Sequence, residues 1–351
     1  MEGTGHEDTK TRRRTFEGVP RGFVTSWLLF VGPVIFPLLA GPHPRSLRLD
    51  SLRSLAAAAG APLLLDAQDQ PVRDNRTIKS GIEVISVTAT VRDSEGRLVP
   101  DLTRDAFQIL EDGEAQTVTQ FTHERVPIGL GVLLDTSDSM YGKRIRDART
   151  AVDRFLFELL DPSDEFFILA FNHQPRVLTA WTNKPDVVRQ ALESMKPSGG
   201  TAAYDAVLAS LPLIARRNRE RAALLLISDG ADTASTATLR DVRSALVRSD
   251  AFAYAIAIDS PQPQAINTRV NPTALREITD DSGGRTEVVH STVDLIAATG
   301  RIAEELNNQY VLGYSSSHGA DGQFHSIRVR VNGGGYRVRA RNGYVAARTS
   351  H

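Results

Sequence analysis

Four runs of seven or eight residues are apolar almost without interruption: IGLGVLLD (128–135), EFFILAF (165–171), AALLLIS (222–228) and AFAYAIAI (251–258). A half-exposed strand alternates apolar and polar positions. A strand apolar at every position has both faces covered. The segments between the runs have helical period. Ile145, Ala148, Val152, Phe155 and Leu159 recur at three and four residues, which places them on one helix face. DVVRQALESM, YDAVLASLPLIARR with Pro212 inside it, a stretch at about 238–248, ALREITDDSGG and VDLIAATGRIAEEL supply further helices. Buried strands alternating with helices predict an α/β domain over 125–308: a doubly wound, mostly parallel, Rossmann-like sheet.

The flanks have a different texture. In IEVISVTATVRD, Ile85, Val87, Ala89 and Val91 alternate with polar positions, and AFQIL, EDGE and AQTVTQF follow as strand, Asp-Gly turn and strand. Residues 80–124 therefore read as a small β module. YVLGY, FHSIRVRV and YRVRARNGYV make a second β segment over 309–348. There Arg328, Arg330, Arg337, Arg339 and Arg341 alternate with apolar or small residues, the pattern of a solvated sheet face. At the other end, Arg12, Arg13, Arg14 and Arg21 precede the nearly uncharged run FVTSWLLFVGPVIFPLLA (23–40). A basic start, an apolar core and small residues after it predict an export signal or membrane anchor over 1–45. Residues 46–79, without sustained period, read as linker.

The chemistry concentrates where ligands gather in such a sheet, at the carboxyl ends of the strands. The first apolar run ends in Asp135-Thr136-Ser137-Asp138-Ser139, and the third runs into Asp229-Gly230. Between them SGGTAAYDA presents Thr201 after two glycines. Asp135, Ser137 and Ser139, spaced by two, can point the same way along an extended chain. With Thr201 and Asp229 they form an all-oxygen set carrying two carboxylates. A hard divalent cation fits it, Mg²⁺ best, with oxygens at about 2.0–2.1 Å. Asp205, Asp259, His173 and His290 read as capping, surface or structural residues.

Composition removes other chemistries. The 351 residues contain no cysteine, so any metal is held by oxygen or by the eight histidines. A net charge of −1 provides no field to recruit nucleic acid. Gly129-Leu130-Gly131 lacks the third glycine of a dinucleotide loop and lies inside a strand. An aspartyl-phosphate enzyme of haloacid-dehalogenase-like type would need a second Asp where Ser137 stands.

The D-T-S-D-S strand end, the G-G-T loop and the S-D-G after a later strand resemble the metal-ion-dependent adhesion site of von Willebrand factor type A domains. VISVTATVRDSEGRLVPDLTRDAFQILEDG before the domain and YVLGYSSS, IRVRV and VRARNGYV after it are similar to the bacterial VWFA-related family of exported proteins. The resemblance implies Mg²⁺ or Mn²⁺ held by Asp135, Ser137, Ser139, Thr201 and Asp229. It implies protein–protein interaction; the neutral hydroxyl ligands would leave the cation positive enough to attract a partner Asp or Glu, and the sequence presents no base and nucleophile pair for catalysis. The alternatives are a metal-dependent phosphoryl-transfer enzyme and a structural envelope protein whose site stays empty.

Overall fold

The computed structural model describes residues 84–229, 231–259 and 271–347. The expected export segment and linker, and Gly230, lie outside them. Among the described residues no helix is long and apolar enough to cross a membrane.

The four apolar runs are neighbours in one six-stranded sheet. In chain order its strands are β5 (Ile128–Asp135), β6 (Glu165–Phe171), β7 (Pro175–Thr182), β8 (Arg221–Ser228), β9 (Phe252–Ile258) and β10 (Thr286–Val289). Their order across the sheet is β10-β9-β8-β5-β6-β7. All neighbours are parallel except β6 and β7, which are antiparallel. Helices α1 (Lys143–Arg154), α2 (Pro185–Ser194), α3 (Ala203–Ala215), α4 (Leu239–Arg248), α5 (Pro272–Ser282) and α6 (Thr292–Asn307) cover the two faces. One face packs Ile145, Val152, Phe155 and Ile302 onto Leu130, Val132, Ile168 and Tyr254. The other packs Val207, Ile214, Val242 and Leu275 onto Leu133, Phe167 and Leu224. The fold class is the one the apolar runs predict.

Local chemistry sets the helix limits. Thr238 caps α4 in a reciprocal capping box with Asp241. Asn271 and Ser291 accept backbone N–H groups at the starts of α5 and α6. Gly131 is a packing residue: a Cβ there would sit 2.2 Å from the Phe167 ring and 2.8 Å from Leu224. The strand glycines thus admit neighbouring side chains, and no nucleotide.

The two β flanks meet in one structure. β1 (Val84–Arg92), β2 (Phe107–Glu111), β3 (Glu114–Gln116) and β4 (Val118–Thr122) precede the α/β domain. β11 (Tyr310–Ser315), β12 (Phe324–Val331), β13 (Arg337–Ala340) and β14 (Gly343–Val345) follow it. They interleave as two four-stranded sheets, β13-β1-β11-β4 and β14-β12-β2-β3. Ile85, Val87, Ile109, Leu312, Tyr314, Ile327 and Tyr344 fill the space between them. Each sheet takes strands from both flanks, so neither flank can bury its apolar face alone.

The sandwich is joined to the α/β domain by ions. Glu305 of α6 is fully buried and faces Arg92 of β1 (3.1 Å), Arg285 (3.2 Å) and Arg339 of β13. The Tyr254 hydroxyl donates to the same carboxylate at 2.9 Å. Arg339 also donates to the Gly284 carbonyl, and Arg341 to that of Ser86. The alternating arginines are therefore not one solvated face. Arg328, Arg330 and Arg337 are exposed, whereas Arg339, on the edge strand β13, turns inward onto the Glu305 carboxylate of α6.

Removing one member of a buried ion cluster strands the others. Glu305→Ala is expected to cost about 3 kcal/mol, in the range for breaking a buried pair. Arg339→Ala, which keeps two arginines on the carboxylate, is expected to cost less. Chemical denaturation of the two variants measures both; a Glu305→Ala midpoint equal to that of the parent would exclude this role.

Candidate metal centre

β5 delivers Asp135 fully buried, because the strand is covered on both faces up to its last residue. The chain then turns. The Ser137 N–H donates to Asp135 Oδ1 at 2.7 Å, and the Ser228 hydroxyl, at the end of neighbouring β8, donates to Oδ2 at 2.5 Å. A 3₁₀ turn at Asp138–Met140 brings Ser139 back beside Ser137, with the two Oγ atoms 2.9 Å apart. Ser139 donates to Asp229 Oδ1 at 2.6 Å. Its single proton is thereby committed, so Ser137 is the donor to Ser139. The serine oxygens keep lone pairs free while the Ser137 proton serves Ser139 and the Ser139 proton serves Asp229.

Thr201 comes from the connection before α3. The Ser198 N–H donates to the Thr136 carbonyl at 2.8 Å, and the Asp138 N–H to the Gly199 carbonyl at 3.0 Å. These bonds hold the G-G-T loop against the D-T-S-D-S loop. Thr201 is itself clamped from the far side: its N–H donates to Thr233 Oγ1, and its carbonyl accepts the N–H groups of Thr233 and Ala234. Asp135 therefore ends β5, and the other four residues singled out in the sequence lie in the loops at the carboxyl ends of β5 and β8 or in the connection tied to them. Four are nearly inaccessible, Asp135 0%, Ser137 2%, Thr201 4% and Asp229 1%, while Ser139 is half-buried.

Burial dominates the electrostatics. It pushes the Asp135 carboxyl from 3.8 up to about 7, against the hydrogen bonds from Ser228 and Ser137 and with a smaller push from Asp229. Asp229 is raised too, first by burial, with Ser139 and Arg144 opposing. Two carboxylates held away from water and close together favour a cation or protons between them. The donor set fits a hard divalent ion: every donor is oxygen, and two are carboxylates.

Two contributors were not legible in the motif. Ser228 has a place only once β8 lies beside β5. Arg144, two residues beyond Gly142, reaches back to Asp229 Oδ2 at 3.0 Å and to the Ser139 carbonyl at 2.6 Å. It shields Asp229 and lowers the local formal charge from −2 to −1. The basic residue in GKR was the available signal. The remaining carboxylates serve local structure. Asp205 accepts the N–H groups of Thr236 and Ala237, and Asp259 lies 3.5 Å from His290.

Residues 130–231 match the von Willebrand factor type A domain. Inter-alpha-trypsin inhibitor heavy chain H4 of Bos taurus is 26% identical over 120 residues, covering 31% of this chain and 13% of that protein. The chain thus spans a small part of that relative's length. Among solved structures, BatB from Bacteroides thetaiotaomicron is 19% identical over 51% of this chain and 98% of its own, with a TM-score of 0.42. A von Willebrand factor type A protein from Catenulispora acidiphila is 12% identical over 77% of this chain and 76% of its own, with a TM-score of 0.46. Proximal thread matrix protein 1 of the mussel byssus, in a form with a zinc-occupied MIDAS motif, is 13% identical over 57% and 50%, with a TM-score of 0.47.

The shift at Asp135 fixes a pH dependence. Its folded value lies above its unfolded one, so the folded state holds the proton more tightly. Stability from this group is complete below about pH 4 and falls as pH rises towards 7. A cation held by the ionised carboxylate competes with that proton. Millimolar Mg²⁺ is therefore expected to raise the melting temperature more at pH 8 than at pH 5; equal shifts at both would contradict the assignment.

Arg144 competes for Asp229 in the same way. Arg144→Gln is expected to tighten cation binding about tenfold, a gain of roughly 1.4 kcal/mol, while lowering the melting temperature without metal. Calorimetric titration of the variant reads the first effect, and weaker binding would reverse the role given to Arg144.

Proposed function

Residues 130–231 are a von Willebrand factor type A domain, and on that premise we propose that the chain is a non-enzymatic adhesion or scaffold protein that binds a partner protein through a divalent cation. The observation that supports the reading is the chain of bonds that links Ser137, Ser139 and Asp229 beside the buried Asp135 carboxylate, with the Thr201 loop tied to the same turn by backbone bonds. Asp135, Ser137, Ser139, Thr201 and Asp229 would hold Mg²⁺ or Mn²⁺. When bound, the cation supplies a positive centre that an outside Asp or Glu can complete.

The chain's own residues do the rest. Ser137 and Ser139 keep their protons on neighbouring oxygens, so they serve as neutral donors and leave charge on the centre. The clamp from Thr233 and Ala234 fixes the loop that carries Thr201. Arg144 sits at the mouth of the site, where it can meet the same acidic partner. Tyr141, 79% exposed beside it, offers a large apolar surface of the kind that anchors protein interfaces. We assign the chain to the cell envelope or exterior on its basic, apolar N-terminal segment, with residues 1–45 as signal or anchor. The boundaries 46–79, 80–124, 125–308 and 309–348 remain part of the same proposal, with the two β parts acting as one sandwich.

Binding of one Mg²⁺ or Mn²⁺ per chain is expected by calorimetry. Thr201→Ala and Asp229→Ala are expected to weaken it at least a hundredfold while the fold persists, since both residues lie in loops. Capture of an envelope partner should then require metal and fail in chelator. A partner held equally well in chelator, or by Asp229→Ala, would refute the mechanism. Arg339→Ala is unsuitable as a neutral control because Arg339 belongs to the Glu305 cluster.

A further inference from the structure

Among the described residues, one further cluster has the spacing of a metal site, and it lies on the sandwich. Asp112 and Gly113 form the turn between β2 and β3, with φ of 48° and 91°, the left-handed pair that a two-residue hairpin requires. This turn aims the Asp112 side chain across at β12. The Ser326 N–H and hydroxyl both donate to Asp112 Oδ1, at 2.8 and 3.0 Å. Only Oδ2 is left facing outward. His325 of β12, 5% exposed, brings Nδ1 to 2.8 Å from that oxygen. His318, in the connection between β11 and β12, brings Nε2 to 3.5 Å from it. The two imidazoles stack with centroids 4.0 Å apart. The other ring nitrogen of His325 lies 3.3 Å from Asp321.

We propose that Asp112, His318 and His325 form a second metal site, for a borderline divalent cation such as Zn²⁺, with Asp321 as the carboxylate that orients His325. Four features support it. An ion pair between His325 and Asp112 would be complete without His318, yet His318 turns a second ring nitrogen to the same oxygen. Donors at about 2.0–2.1 Å from a tetrahedral centre lie about 3.3 Å from one another; the two donor–donor distances here are 2.8 and 3.5 Å, and all three donor atoms fall within 4.8 Å of one another. Two imidazoles and one carboxylate select zinc-like ions over Mg²⁺. A carboxylate behind a ligating histidine and hydroxyl and N–H donors behind a ligating carboxylate are the supports that such sites use to fix their ligands. Asp112 and His318 are each more than one-third exposed on their side chains, so the fourth position faces water. The ion would fasten the hairpin of the first β flank to a connection of the second. The proposal is independent of the adhesion reading, whose site contains no nitrogen ligand.

The test uses the untagged full chain in excess Mg²⁺, which occupies the all-oxygen site. Zinc titration is expected to show one equivalent bound, with a rise in melting temperature. Cobalt in its place is expected to give the intense visible bands of tetrahedral coordination, where six oxygens would give only weak ones. His318→Ala, altering an exposed loop, is expected to abolish both signals. Asp321→Asn is expected to weaken zinc 10–100-fold, as loss of a supporting carboxylate does. Asp229→Ala is expected to leave the signals unchanged. Zinc uptake unaffected by His318→Ala, uptake lost only in Asp229→Ala, or no uptake by the parent would each overturn the proposal.

Discussion

The carboxylate of Glu305 is the constraint on which the arrangement of this molecule rests. It is a full charge with no access to water, a state that is tolerable only with close partners. Those partners come from three places: Arg92 before the α/β domain, Arg285 within it and Arg339 after it. Each arginine keeps a quarter or so of its side chain exposed, so the guanidinium groups carry part of their hydration inward. The carboxylate can be satisfied only when β1 and β13 lie against α6. Burial of one ion thereby specifies how the sandwich docks, which nondirectional apolar contacts could not do alone. Arg221 performs a related task nearby. It is buried and donates to carbonyls of Val126 and Leu306, at the two ends of the connection between the parts. Burial depresses it to about 10, which still leaves it charged.

The candidate cation site takes its rigidity from the parallel sheet. Asp135 and Ser228 end adjacent parallel strands, so their separation is set by sheet hydrogen bonding and not by a loop. Backbone bonds lock the connection that carries Thr201 to the D-T-S-D-S turn on one side and to Thr233 on the other. The oxygens that would surround an ion are thus placed before any ion arrives. Such preorganisation lowers the ordering cost of binding, and it also explains why two carboxylates remain buried together despite their repulsion.

What could be read from the sequence was what repeats with a period. The four doubly buried strands, the helices between them and the strand-end aspartates were all legible, because burial on both faces leaves a continuous apolar run. β7 was not, since it is an antiparallel edge strand with mixed exposure, and β10 has only four residues. The shared sandwich was illegible for a deeper reason. Alternation in β1 and β12 shows that each has one buried face but carries no information about which strand covers it. Arg339 alternates with apolar or small residues as its exposed counterparts do, and only its contact with Glu305 of α6 separates it from them. Ser228 and Arg144 join the site through contacts across strands and across a turn, where no spacing rule reaches.

The interleaving of the flanks has a consequence for the order in which the molecule can assemble. Val84 faces Ser315 across the first sheet, and Phe107 faces Val331 across the second. The whole α/β domain lies between these partners along the chain. As the polypeptide emerges from the ribosome, at roughly 5–20 residues per second, β1 has no strand to pair with, and β2 only the short β3, until the α/β domain is complete. Their apolar faces stay open throughout that interval, and closure comes last and at long range, which makes it slow. The molecule is therefore most vulnerable to misassembly at its amino-terminal strands, for a time set by the length of the domain that separates them from their mates.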